Sequence, residues 1–188
     1  MKKNSLTLYM IMFVGLLMPF NAIGQTAMSN VTLGINGTAL LGITTGASVA
    51  LSLGGAAEAG APIQEASADS TARLRISSLT SLDSTRTISA SISTGMSKMT
   101  TSNTELLVRL GDPNANFSNA GNKGTLIATP IVLSGTDAPV VTGIKTCWSG
   151  TGADDGYRII YTFRRKALAT TFSSPGAITV TYTLSNSI

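Results

Sequence analysis

Two adjacent carboxylates, Asp154 and Asp155, stand among glycines in SGTGADDGYR (149–158), and a loop of that kind could offer oxygen ligands to calcium. The spaced third and fourth ligands of a calcium loop are missing, however. The same residues fit a tight turn in which an aspartate bonds its own backbone ahead of the next strand. A carboxylate pair could also hydrolyse a glycosidic bond, but the nine acids fall mostly in loops. Histidine is absent, which removes the commonest general base, the commonest metal ligand and every Ser–His or Cys–His couple. Cys147 is the single cysteine and cannot close an internal disulfide. Beside Trp148 it reads as a small apolar core residue, with pairing to another chain as the alternative. The expectation is therefore a protein that is not an enzyme, with no catalytic residue, no cofactor and no metal.

The charged residues are sparse. The one dense basic run, Arg164-Arg165-Lys166, follows a candidate strand and reads as a solvated strand end rather than a binding patch, so nucleic acid is not an expected partner. At the amino end, Lys2 and Lys3 precede an apolar run over residues 6–20 that is too short and wrongly flanked to span a membrane. With Ala22 and Gly24 at the small positions of a cleavage site, residues 1–24 are expected to be a signal peptide helix. Residues 25–188 would then form one domain of net charge +2 and no further spanning segment.

Positioning in such a chain must come from strands. Glycine, serine, threonine and alanine dominate, and beyond the leader no stretch keeps apolar residues at helical spacing for more than two turns. Candidate strands, each bounded by turn formers, cover 31–35, 39–43, 48–53, 72–78, 86–92, 105–110, 125–133, 140–145, 157–164 and 177–184. Short strands at regular spacing indicate an all-β antiparallel sandwich. In 72–78 the inward set is Ala72, Leu74 and Ile76, with Arg73 and Arg75 outward. Tyr157, Ile159, Tyr161 and Phe163 share one face of the next clear strand, and Ile178, Val180, Tyr182 and Leu184 one face of the closing strand. These eight residues are the candidate core and groove. The glycine-rich piece 54–70 reads as a crossover with one helical turn around 56–59. The irregular piece 111–124 reads as an exposed loop, and these two are the candidate recognition loops.

Near the mature amino end, Val31, Leu33, Ile35, Ala39, Leu41 and Ile43 keep one parity, interrupted by Gly37. A terminal strand with one apolar side is a hazard unless something accepts it. One solution is insertion into a groove of a neighbouring subunit, with Val31, Leu33 and Ile35 as the donated side chains. Each would contribute roughly 1.5–3 kcal/mol on full burial. The alternative is a hairpin within one complete sandwich, turning at Asn36-Gly37. On either reading the closing strand belongs to the chain's own sheet.

The stretches VTLGINGTALLGI, WSGTGADDGYRIIYTF and AITVTYTLSNSI, together with the Gly/Ser/Thr-rich composition, resemble a group of small uncharacterised secreted proteins of Bacteroidetes. More distantly, the closing strand and composition resemble spore-coat-U and archaic chaperone–usher pilin subunits. These distant relatives commonly carry a cysteine pair near the N-terminal strand, and this chain has none there. The resemblance implies an Ig-like sandwich exported through the periplasm to the cell surface or medium. Its partners would be copies of itself or related subunits, delivered by a periplasmic chaperone and an outer-membrane usher. A structural or adhesive pilin-like subunit is the function so implied. The other expectation is a monomeric secreted module that recognises glycan or protein through its loops.

Overall fold

Alternation of apolar and polar residues decides which face of each strand turns inward, and in this protein the inward faces of two antiparallel sheets meet. The computed structural model describes residues 38–44, 48–56, 58–166 and 171–187. The expected signal peptide (1–24) and the candidate donor residues Val31, Leu33 and Ile35 lie outside the described residues.

In order, the elements are β1 (Ala39–Thr44), β2 (Ala66–Asp69), β3 (Arg73–Ser78), β4 (Thr85–Thr94), α1 (Met96–Thr101), β5 (Thr104–Gly111), β6 (Thr125–Leu126), β7 (Ile131–Val132), β8 (Ala138–Ile144), β9 (Cys147–Trp148), β10 (Tyr157–Arg165) and β11 (Thr179–Ser187). The larger sheet runs β1-β3-β10-β5-β7, with β2 also on β10 and β9 on β3. The smaller runs β11-β4-β8-β6. The described residues are thus all-β apart from one short α-helix and a 3-10 turn at Ala120–Asn122, as the strand spacing indicates.

Leu74 and Ile76 of β3, Ile88, Ala90 and Ile92 of β4, Leu106, Val108 and Leu110 of β5, Val140 and Val141 of β8, and Tyr157, Ile159 and Tyr161 of β10 are buried in one core. Arg73 and Arg75 face outward as expected. Cys147 is fully buried on the inward side of β9, and burial pushes its thiol up to about 11.

Several elements depart from the sequence expectation. Within the glycine-rich piece, residues 66–69 form a strand, β2, which pairs with the far end of β10. Residue 57 of the expected helical turn near 56–59 lies outside the described residues, and just after it the Ala61 N–H bonds the Glu58 carbonyl at 3.1 Å in a turn. The expected strand 125–133 divides into β6, paired with β8, and β7, paired with β5, so that the chain passes from one sheet to the other. Pro130 stands between the two pieces; it has no N–H and biases the residue before it away from regular pairing in either ladder. Residues 48–53 alternate as a strand does, with Val49, Leu51 and Leu53 half-buried, but they join neither sheet.

Candidate functional site

Among the described residues, β1 pairs only with β3 and β11 only with β4, so each is an edge strand, and the two edges approach each other on one side of the sandwich. Leu41 and Ile43 lie in register with Ile76 and Leu74, both buried, which places Ile43 on the inward face of β1. Ile43 is nevertheless 46% exposed. An inward-facing apolar residue stays open to water only where the layer opposite is incomplete.

The gap beside it is a cleft of about 560 Å³. Its floor is Ile159, Tyr161 and Phe163 of β10 with Leu106 of β5 and Met99 of α1. Ile43 of β1, Ile178 and Val180 line it as well, together with the extended pieces that carry Val49, Leu51 and Phe172. No backbone hydrogen bond joins residues 48–53 to another described residue, although Val49 and Leu51 pack against the core. The cleft is therefore apolar along its β10 side and lined elsewhere by Ser48, Ser52, Ser173 and Ser174, and the chain over residues 48–53 makes no ladder.

Local sequence explains how these side chains reach the cleft. Alternation along β10 turns Tyr157, Ile159, Tyr161 and Phe163 to the same side. The same period on β11 leaves Thr179, Thr181 and Thr183 exposed, while Val180, Tyr182 and Leu184 are half-buried against the core. Gly95, with φ +96°, ends β4 and starts α1, which delivers the buried Met99. A Cβ at Gly95 would stand 2.7 Å from Cγ2 of Ile178, so only glycine lets the start of β11 cross here.

Of the eight candidate core and groove residues, Ile159, Tyr161, Phe163, Ile178 and Val180 line the cleft. Tyr157 lies deeper, its ring 5.3 Å from that of Phe117 and its hydroxyl donating to the Lys123 carbonyl. Tyr182 is half-buried beside the cleft and donates to the Tyr161 hydroxyl at 2.9 Å. Leu184 packs farther along β11. Burial raises the hydroxyl pKa of Tyr157, Tyr161 and Tyr182, so all three are neutral donors or acceptors near neutral pH. Met99, Leu106 and Phe172 complete the cleft without having stood out in the sequence.

The carboxylate loop adopts the turn reading. Asp155 is buried and accepts from Asn114 Nδ2 at 2.7 Å, Asn116 Nδ2 at 3.0 Å and the Gly152 N–H at 2.6 Å. These bonds, the Asn114 one foremost, hold its carboxyl below the usual range. Asp154 points outward toward Arg73 at 3.7 Å. No cluster of three acids or cysteines able to hold a metal occurs among the described residues. The basic run ends β10 in ion pairs, Arg164 with Glu105 at 2.5 Å and Arg165 with Glu65 at 2.9 Å. Trp148, by contrast, is 51% exposed beside the 111–124 loop, where the Ser118 N–H bonds its carbonyl at 2.9 Å.

No helix among the described residues is long and apolar enough to cross a membrane. Compared with known proteins, the chain matches no family model, no curated protein and no solved structure.

Proposed function

We propose that this chain is an exported, non-enzymatic subunit of a cell-surface structure, structural or adhesive and pilin-like, which joins copies of itself by strand addition. Residues 1–24 are a signal peptide removed on export, and the mature chain is an Ig-like sandwich. Residues 31–35 of one copy enter the cleft of the next, with Val31, Leu33 and Ile35 turned toward its floor. The observation that carries this reading is the pair of facing edges: β1 and β11 border a cleft with apolar residues of β10 along one side, in which Ile43 is open to water. An added strand would hydrogen-bond to a free edge and bury the apolar lining at once. A periplasmic chaperone and an outer-membrane usher are the partners that would keep such a cleft covered before assembly.

A second reading has one observation in its favour. The half-exposed indole of Trp148, beside the asparagine-rich 111–124 loop, fits a monomeric secreted module that stacks a sugar ring.

Deleting residues 25–36 and measuring size by gel filtration separates the two. A strand-donating subunit stops polymerising yet still accepts a synthetic peptide of residues 28–38. A complete sandwich that holds this segment in its own sheet loses stability, and a sugar-binding monomer never polymerises in either form.

A further inference from the structure

Three large apolar side chains gather at the pole of the sandwich where Thr38 enters β1. Leu82, at the tip of the turn between β3 and β4, is 92% exposed, and Asp83 after it takes φ +68° as the chain reverses. Leu40 of β1 and Trp148 of β9 both pair with Ser77 of β3, one from each side, and are 62% and 51% exposed. The Thr80 N–H bonds Thr146 Oγ1 at 3.1 Å, which ties the Leu82 turn to the chain leading into Trp148. The Leu79 N–H bonds the Thr38 carbonyl at 2.8 Å, which fixes the incoming chain beside the same turn. A single exposed leucine needs no explanation, but three large apolar groups around one pole mark a contact.

We propose that Leu40, Leu82 and Trp148 form a collar that is buried against the next copy of this chain, the copy whose cleft receives residues 31–35. The inference rests on the strand-addition reading and adds a second contact to it. Only Asn36, Gly37 and Thr38 separate Ile35 from Ala39, four Cα steps that reach about 14 Å at full extension. A copy holding residues 31–35 must therefore stand within that distance of Ala39. The surface around Thr38 is the collar, so the body of the accepting copy covers it. Polar linkers of greater length would allow copies to swing apart, whereas this one forces them together.

The test uses the chain 25–188 and two variants, Leu82→Asp and Trp148→Ser, both at exposed side chains. Binding of a labelled 28–38 peptide, titrated below the concentration at which each form assembles, reports the cleft, and light scattering with electron microscopy reports assembly. The peptide brings no neighbouring body, so its affinity should be unchanged in both variants. Assembly should require a concentration raised about tenfold or more, as loss of one buried apolar contact implies. Assembly at the unaltered concentration with normal peptide binding overturns the collar and leaves strand addition standing. Loss of binding to a carbohydrate array in Trp148→Ser, with assembly unaltered, assigns the indole to glycan and also overturns it. Failure of every form to bind the peptide removes strand addition itself, and the collar with it.

Discussion

The hydroxyl of Tyr182 donates to that of Tyr161 across 2.9 Å, tying the edge strand β11 of one sheet to the strand β10 at the middle of the other. The bond stands beside the cleft and joins Tyr161, which lines it, to the edge strand. Tyr182→Phe should cost about 0.5–1.5 kcal/mol, because the buried acceptor Tyr161 loses its partner. Tyr161→Phe should cost a similar amount, and the double variant less than the sum of the two. Urea denaturation of the three variants checks this; strict additivity would mean that the two hydroxyls are not coupled.

Asp155 links the 149–156 turn to the 111–124 loop through Asn114 and Asn116. Its folded carboxyl titrates below the ordinary value, so its contribution to stability is complete above the unfolded pKa and is lost as pH falls through the folded one. The unfolding midpoint followed from pH 6 downward should therefore drop more steeply in the parent chain than in Asp155→Asn. Equal acid slopes would show that the carboxylate does no such work.

The alkaline limb has the opposite origin. An unfolded Cys147 thiol ionises near 9.0, whereas the buried one holds its proton to about 11, and Tyr157, Tyr161 and Tyr182 are raised in the same direction. Above pH 9 the unfolded state binds fewer protons than the folded state, so stability falls as pH rises. Cys147→Ala should lower stability at neutral pH through lost packing, yet show a shallower decline between pH 9 and 11.

Gly95 tests the link between α1 and the cleft. Gly95→Ala places a Cβ against Ile178 and forces a side chain into φ +96°, a combination expected to cost about 1–3 kcal/mol. The displaced Ile178 should also reduce affinity for the 28–38 peptide. Thermal unfolding and peptide titration measure the two effects separately.

How far these features were legible depended on length and burial. Strict alternation made β3, β10 and β11 readable, since Leu74, Ile159 and Val180 each sit two residues from another apolar residue of the same face. β2 was not readable, because Ala66-Ser67-Ala68-Asp69 has no large apolar residue and is held by pairing with β10 alone. β9 is two residues long and gives no period. Helix α1 packs one buried residue, Met99, in less than two turns, too short for a helical stripe. Residues 48–53 carried the strand pattern without the ladder, because a ladder needs a partner backbone that alternation does not encode. The cleft followed the same division: Ile159, Tyr161, Phe163, Ile178 and Val180 could be named from alternation, whereas Met99 and Phe172 reach it through tertiary packing.

Hydrogen exchange at β11 addresses strand addition most directly. Among the described residues β11 pairs with β4 alone, so alternate amides along Thr179–Ser187 lack a ladder partner, and its first residues, Thr179 and Val180, line the cleft. Adding the 28–38 peptide to a chain lacking residues 25–36 should slow exchange at those alternate amides and leave the β4-bonded ones as they were. Unaltered exchange along β11 at saturating peptide, or slowing confined to the 111–124 loop, would contradict the account.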